Sequence, residues 1–136
     1  MVNLLKTYNN LFNEIISFEN LYAAYLAAKK GKRYKPEVLL AGSNIEAILS
    51  ELHYELSTGT WRPDKYREFL SVTEVKRRII HAPTFKDRIL QHAIVQVIRP
   101  YFEKKFIYDS YAVTPGKGTH LAVRRVQNFL RRAAIT

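Results

Sequence analysis

The stretch over residues 75–98, VKRRIIHAPTFKDRILQHAIVQVI, constrains the fold more than any other part of the chain, because its apolar period changes within it. Residues 77–82 form a short β-rich run, which predicts a strand. After Pro83 the apolar residues recur at helical spacing, and Thr84 has the side chain of an N-cap, with Asp87 placed to favour the helix dipole. A strand that leads directly into a long apolar helix indicates an α+β unit.

The N-terminal part of the chain carries apolar residues at the spacing of one helix. We predict that this helix runs to about Lys30, where Gly31 ends it. The basic loop, residues 29–35, follows, and Pro36 starts a short helix. The apolar stripe of the first helix consists of Leu11, Ile15, Phe18, Tyr22 and Tyr25.

A second amphipathic helix and a hairpin come next. Ser43 and Glu46 have the spacing of a capping box, and Gly59 ends the apolar stripe behind them. Two β-rich runs, residues 66–72 and 77–82, are separated by a turn-sized gap and predict an antiparallel hairpin.

Two further helices complete the pattern. Pro100 lies inside the long apolar helix and should kink it or end it near Arg99. Thr119 is expected to cap a last helix, whose inward residues would be Ala122, Val126, Phe129 and Leu130. The expected fold is helix-rich α+β with a small antiparallel β-hairpin packed on helices, and residues 1–136 are expected to form a single unit.

The charge balance favours a polyanionic partner. Lys and Arg number 22 against 12 Asp and Glu, a formal net charge of +10, and such an excess is most often associated with nucleic acid. The absence of Cys excludes disulfides and thiolate metal sites. The N-terminal sequence MVNLLKTYNN has no signal-peptide pattern and no stretch reaches transmembrane length, so we expect a cytoplasmic protein without a membrane partner.

Three consecutive cations, Lys76, Arg77 and Arg78, lie at the start of the second β-rich run. Alternation along a strand would place Arg77 and Arg78 on opposite faces. Cations on a rigid strand suit a triphosphate, because Arg binds phosphate oxygens in a fork and Lys acts as a point charge. The alternative is a solvated edge strand whose cations block aggregation, and spacing alone favours that alternative.

Two other segments offer cations to phosphates. Arg88, next to Asp87 in the first helical turn, would point to solvent or to a phosphate. The sequence PGKGTH at 115–120 is a glycine turn before a helix, where backbone N–H groups and Lys117 could hold a phosphate. An ordinary turn is the commoner structure for such a sequence.

No residues have the spacing of a catalytic or metal site. Most aromatic residues lie at core spacings and are expected to be buried, among them Phe18, Tyr22, Phe102 and Phe129. Tyr111 and Phe85 flank the basic segments and are candidates for stacking on bases. Trp61 is expected to anchor a loop. None of the four histidines is assigned to catalysis: His53, His81, His92 and His120.

Four segments, taken in order, resemble reverse transcriptases of the group II intron, retron and diversity-generating type. NLYAAYLAAKKGKRYK resembles the N-terminal helix of that family, and WRPDKYREFLSV resembles its first fingers strand. RRIIHAPTFKDRILQHAIVQVI resembles the block with a basic strand, Pro, Asp-Arg and a long apolar helix. FIYDSYAVTPGKGTHLAVRRV resembles the next block, with Ser-Tyr, a basic glycine turn and a helix.

The resemblance implies the N-terminal fingers subdomain of an RNA-directed DNA polymerase, with the palm and thumb absent. The family's phosphoryl transfer uses metal ions, here expected to be Mg²⁺, held by palm carboxylates. We therefore expect no catalytic residue, metal ligand or cofactor in this chain, and no polymerisation by it alone. The resemblance implies that Arg78 and Lys76 contact the incoming dNTP. We further expect Arg77, Arg88, Lys117 and Tyr111 to contact the RNA template and DNA primer.

Two other interpretations stay open. The chain could be a stand-alone RNA-binding module from a truncated retroelement gene, with an affinity that falls steeply as salt rises. It could instead associate with itself, through apolar surface that an absent palm would leave exposed on the last two helices. Whether the chain acts as an enzyme is left open by the sequence.

Overall fold

The computed structural model describes residues 8–72 and 76–134. Within these residues the chain forms six helices and one two-stranded antiparallel sheet, which confirms the helix-rich α+β class. In chain order the elements are α1 Leu11–Ile16, α2 Phe18–Lys29, α3 Pro36–Ser43, α4 Ile45–Thr58, β1 Arg67–Ser71, β2 Arg78–Ala82, α5 Phe85–Glu103 and α6 Thr119–Ala133.

The chain divides into two compact units, Met1–Pro100 and Tyr101–Thr136. The expectation that residues 1–136 form a single unit, the fingers part of a polymerase, stays a prediction. The segment on which the signal-peptide prediction rests lies mostly in residues 1–7, outside the described ranges. Within those ranges no helix combines the length and the apolar character needed to cross a bilayer.

The predicted first helix is two helices, because the chain leaves helical conformation at Ser17. Ser17 has φ −59° and ψ 142°, so α1 ends there and α2 begins one residue later. Its hydroxyl accepts a hydrogen bond from the backbone N–H of Asn20 (3.3 Å), which caps α2. The apolar spacing continues across this break and therefore predicts one continuous helix. That prediction is wrong, because spacing does not reveal the change of backbone conformation at Ser17. α2 ends at Lys29, close to the predicted end.

α3 and α4 meet without the predicted capping box. α3 begins at Pro36, as predicted, and continues through Ser43, whose hydroxyl donates to the carbonyl of Leu40 (2.8 Å). The N-cap of α4 is Asn44, which makes no side-chain capping bond. Because Ser43 still belongs to α3, it cannot cap α4, and the capping box is wrong. Gly59 ends α4 in a left-handed conformation (φ 71°), as predicted.

The core of the first unit is built mainly by α2, α4 and α5. Its largest fully buried side chains are Leu21, Leu52 and Ile89, one from each helix. The side-chain amide of Asn20 donates to the carbonyls of Ile15 (2.9 Å) and Ala93 (3.1 Å), and so joins α2 to α1 and α5. Burial of each large aliphatic side chain contributes about 1.5–3 kcal/mol.

The antiparallel hairpin is confirmed, although residues 73–75 of its turn lie outside the described part of the chain. Most of its side chains are exposed on both faces. Two-stranded hairpins are marginally stable alone, and Arg67 ties this one to α3 by an ion pair with Glu37 (3.7 Å). The register pairs Arg67 with Ala82, Glu68 with His81, Phe69 with Ile80, Leu70 with Ile79 and Ser71 with Arg78.

α5 continues through Pro100 to Glu103, so the alternative in which it ends near Arg99 is wrong. The boundary between the compact units falls directly after Pro100. Phe102, predicted to be buried, is 55% exposed.

α6 exposes the apolar residues that the sequence placed in the interior. None of its residues is buried, and Val126, Phe129 and Leu130 are 54%, 44% and 65% exposed. Phe18 and Tyr22 of α2 are also about half exposed. Helical spacing identifies an apolar face but not a partner for it, and the prediction of inward packing is therefore wrong. The N-cap of α6 is Gly118 rather than Thr119, which is already helical.

Candidate nucleic-acid interface

The hairpin presents the three consecutive cations at one end of β2. Arg78 is the first residue of the strand and pairs with Ser71, and its side chain is exposed. Lys76 and Arg77 precede the strand and are also exposed. The register places Arg67 and Phe69 on the same face of the hairpin as Arg78. The candidate dNTP residues therefore lie together at the start of the paired strand, with Arg78 in the strand and Lys76 just before it.

The start of α5 is fastened to the loop that precedes the hairpin. The Thr84 hydroxyl accepts from the backbone N–H of Asp87 (3.2 Å), so the predicted N-cap is confirmed. Asp87 Oδ2 accepts from the backbone N–H of Asp64 (3.1 Å), and Thr84 Oγ1 donates to Asp64 Oδ2 (3.0 Å). These bonds fix the chain on both sides of the hairpin to one helix terminus.

Arg88 points to α3. Its guanidinium donates to Glu37 Oε1 (3.1 Å) and to the carbonyl of Pro83 (3.4 Å), and its side chain is 16% exposed. Its guanidinium carbon also lies 5.8 Å from the centroid of the Phe85 ring. Both hydrogen bonds are made by Nη2 within the first unit, and the contact of Arg88 with nucleic acid stays a prediction.

A cluster of aromatic and charged residues lies in the second unit. Lys117 Nζ lies 4.4 Å from the ring centroid of Tyr108 and 5.4 Å from that of Tyr111, and it donates to the Tyr108 carbonyl. Arg125 of α6 pairs with Asp109 (2.8 Å), and Asp109 also accepts from the Tyr111 hydroxyl (3.2 Å). Lys117 and Tyr111 are therefore neighbours, as a shared role in binding would require.

The charged and polar groups of this cluster shift one another's pKa values. The hydrogen bond from Arg125 holds the pKa of Asp109 below its usual range. Desolvation and the bond to Asp109 raise the pKa of Tyr111, and the bond to Asp109 raises the pKa of Arg125. Asp109 thus stays ionised and orients both neighbours. Arg125 was missed by sequence reasoning, although its place in the basic pair of VRRV marks it as a candidate.

An open pocket of about 360 Å³ borders this cluster. Among its lining residues are Tyr108, Ser110, Thr114 and Lys117. The Lys117 backbone N–H donates to the carbonyl of Thr114 (3.0 Å), and Gly116 is left-handed (φ 74°), so the glycine turn is closed by its own backbone. Phosphate binding by this turn stays a prediction.

Two aromatic residues have the positions of core components. Phe85 is 6% exposed and packs edge to face with Tyr25 (6.2 Å between centroids), so it is buried and cannot stack on a base. Its candidacy as a stacking residue is therefore wrong. Trp61 packs against the hydrophobic core, which confirms its predicted role as a loop anchor.

The histidines are dispersed. His53 Nδ1 lies 2.8 Å from the Ile16 carbonyl, and His81 pairs with Glu68 across the hairpin (3.2 Å). Desolvation and the charges of Lys32 and Arg88 lower the pKa of His92. Across residues 8–72 and 76–134, no group of three or more His, Asp or Glu side chains could hold a metal ion.

Comparison with known proteins gives two partial similarities. The chain is 32% identical over 54 residues to nuclear intron maturase 1, mitochondrial, of Arabidopsis thaliana, a match that covers 38% of this chain and 8% of the maturase. It is 31% identical over 80 residues to protein YkfC of Escherichia coli strain K12, which covers 58% of this chain and 21% of that protein. The chain thus spans only a small part of each relative. No family model matches it.

Proposed function

We propose that this chain is the N-terminal fingers part of an RNA-directed DNA polymerase of the group II intron, retron or diversity-generating type. The hairpin carries the proposal: exposed Lys76, Arg77 and Arg78 stand at the start of β2, on a segment fixed to α5. The partial similarity to an intron maturase supports a relation to retroelements.

The proposed role of the hairpin is to bind the triphosphate of the incoming dNTP. Arg78 would contact phosphate oxygens through its planar fork, and Lys76 would add a point charge. Arg77 would contact the backbone of the template–primer duplex. Lys117 and Tyr111, in the second unit, would contact a phosphate and a base or sugar of the template–primer duplex. Arg88 would contribute only through the part of its guanidinium that Glu37 leaves available.

Among the described residues, no carboxylate cluster fits the Mg²⁺ that polymerase chemistry requires. Asp87 accepts from the Asp64 backbone, Asp64 accepts from the Thr84 hydroxyl, and Asp109 pairs with Arg125. Mg²⁺, which neutralises the charge of the transferred phosphoryl group, would have to be held by residues of a palm. The chain would then supply binding and orientation, and the proposal includes no polymerisation by the chain alone.

One observation favours a second candidate function. The exposed face of α6, with Val126, Phe129 and Leu130, is apolar surface that self-association would bury. The alternative is a stand-alone RNA-binding or self-association module, and the exposed face of α6 favours self-association.

A titration of dATP with the chain, followed by ³¹P NMR, tests the triphosphate site. The parent chain should shift the β- and γ-phosphate signals, and Arg78→Gln and Lys76→Gln should reduce those shifts because each removes a phosphate contact. Arg62→Gln is the matched control, since Arg62 is an exposed arginine whose hydrogen bonds go to the carbonyls of Gly59 and Trp61. Equal shifts for Arg78→Gln and Arg62→Gln, or none for the parent, would contradict the proposal.

A kinetic test applies to a longer protein that contains this segment with a polymerase palm. There Arg78→Ala should raise KM for dNTP and lower kcat, because the residue contacts the triphosphate in the ground and transition states. Unchanged kinetics would contradict the assignment of Arg78.

A further inference from the structure

The basic loop connects α2 to α3 and has no part in the proposed dNTP and template–primer sites. Its sequence, KKGKRYK, places five cations and one tyrosine within seven residues and contains no acidic residue. The cations are Lys29, Lys30, Lys32, Arg33 and Lys35.

Two consecutive turns give the basic loop a defined backbone. The N–H of Lys32 donates to the carbonyl of Lys29 (3.0 Å), and the N–H of Lys35 donates to the carbonyl of Lys32 (3.0 Å). Gly31 has φ 73°, a conformation that other residues rarely adopt. The Lys35 carbonyl then accepts from Val38 (2.9 Å) at the start of α3. A loop held in this way loses little backbone entropy when it binds a ligand.

The positive charge of the basic loop has no carboxylate partner in the part of the chain that the structure describes. Among the described residues, none of its five cations has a carboxylate within ion-pair distance. The nearest acidic residue in the sequence, Glu37, is engaged by Arg88 (3.1 Å) and Arg67 (3.7 Å) instead. Lys29 Nζ donates to the hydroxyl of Tyr25 (3.2 Å), a neutral partner.

A purely structural role accounts for only part of this charge. Lys29 and Lys30 lie at the C-terminus of α2, where the helix dipole favours cations. Lys32, Arg33 and Lys35 precede the N-terminus of α3, where the same effect disfavours them. A bound polyanion would relieve this repulsion.

Tyr34 lies between these cations and is 95% exposed. A tyrosine usually buries most of its ring, because the ring is the apolar part of the side chain. Here almost the whole side chain is open to solvent, and cations flank it in the chain. An exposed aromatic ring among cations matches proteins that bind single strands, in which bases stack on rings and cations follow the phosphates.

An open pocket of about 360 Å³ lies beside the basic loop, between α2 and α3. Tyr25, Lys29 and Arg33 provide its polar rim, and Val38 and Leu39 provide apolar lining. Its volume lies within the range of small-ligand sites. A pocket with two cations and an apolar wall suits one nucleotide of a strand that continues across Tyr34.

We infer that the basic loop is a binding site for single-stranded RNA, in which Lys32, Arg33 and Lys35 contact phosphates and Tyr34 stacks on a base. The site shares no residue with the hairpin or with the glycine turn. It therefore goes beyond the proposed polymerase function and does not depend on it.

Fluorescence anisotropy with a labelled 12-nucleotide RNA of mixed A and U tests the site over a range of salt concentrations. The triple variant Lys32→Gln/Arg33→Gln/Lys35→Gln should lower the slope of log K against log salt by about 2, at roughly 0.7 per phosphate contact. The control Lys104→Gln/Lys105→Gln/Arg131→Gln removes the same charge from exposed positions of the second unit and should leave most of that slope intact.

Replacement of Tyr34 gives a second test, because it changes RNA affinity without changing the charge of the basic loop. Tyr34→Ala should weaken RNA binding about tenfold through loss of stacking, whereas Tyr34→Phe should bind as the parent does. Tyr54→Ala is the control, because Tyr54 is 67% exposed on α4. Far-ultraviolet circular dichroism checks that each variant is folded. Equal RNA binding by the two triple variants, or by Tyr34→Ala and Tyr54→Ala, would overturn the inference.

The hairpin variants separate this inference from the proposed function. Arg78→Gln should retain RNA binding, while the variants of the basic loop should retain the dATP shifts. Equal dATP shifts for Arg78→Gln and Arg62→Gln, with RNA binding still dependent on the basic loop, would refute the triphosphate site and leave the inference supported.

Discussion

Asp87 and Arg88 are adjacent in sequence but serve different contacts. Asp87 Oδ2 accepts from the Asp64 backbone, while Arg88 reaches Glu37 on α3. Asp87 is 5% exposed, and its backbone N–H donates to the Thr84 hydroxyl, which confirms Thr84 as the N-cap. That the Asp87 carboxylate favours the helix dipole stays a prediction. The partner of Arg88 could not be read from sequence, because it lies 51 positions away and no local pattern links the two residues.

Replacement of Asp87 tests how strongly the hairpin is fastened to α5. Asp87→Ala should lower the free energy of unfolding by about 1–3 kcal/mol, because it leaves the Asp64 N–H without its acceptor and removes a carboxylate from a helix N-terminus. Urea unfolding of the variant measures the loss. Glu46→Ala, an exposed acid in the first turn of α4, is the control. An Asp87→Ala chain as stable as that control would contradict the account.

His92 should make stability depend on pH. Burial, followed by the charges of Lys32 and Arg88, lowers its pKa below the ordinary value of 6.5. Between the lowered pKa and 6.5, the unfolded chain binds a proton that the folded chain does not. The His92 contribution to the free energy of unfolding should therefore fall as pH drops below 6.5 and stop falling below the folded pKa.

Thermal or urea unfolding across this pH range checks the sign. His92→Gln should weaken the loss of stability on acidification, whereas His120→Gln, at an exposed position of α6, should not. Lys32→Gln should raise the pKa of His92 in an NMR titration, because it removes a repulsive charge. The same pH dependence in parent and His92→Gln would rule out the linkage.

At the scale of the elements, some helix ends could be predicted from the properties of a single residue. Gly59, Pro36 and Thr84 mark helix ends correctly, because each residue acts through its own dihedral angles or hydroxyl group. Ser17 and Ser43 have the same chemistry, yet one begins a helix and the other continues one. Which role a serine takes depends on the packing of the helix that follows, and spacing does not reveal it.

The exposed apolar face of α6 predicts that the chain associates with itself. Leu130→Glu should reduce self-association in sedimentation experiments at high protein concentration, because it places a charge on that face. Asn128→Glu adds the same charge on the opposite side of the same helix and should have little effect. A parent chain that stays monomeric at all concentrations would contradict self-association.

At the scale of the whole molecule, the excess of positive charge predicts polyanion binding but not which cations take part. Arg125 and Arg88 have local carboxylate partners, whereas the cations of the basic loop have none among the described residues. Sequence reasoning chose Arg88 and passed over the basic loop, since a count of charges treats paired and unpaired cations alike. Pairing depends on contacts between elements, which only the folded chain provides.

The salt dependence of binding to an RNA–DNA duplex turns this distinction into a measurement. Each phosphate contact adds about 0.9 to the slope of log K against log salt, so Arg77→Gln and Lys117→Gln should each lower that slope by about 1. Arg88→Gln should instead lower the free energy of unfolding, because it leaves Glu37 without its closest partner, and should change the slope less. If Arg88→Gln lowers the slope as much as Lys117→Gln does and leaves stability unchanged, then the ion pair with Glu37 opens when the duplex binds, and Arg88 is a nucleic-acid contact.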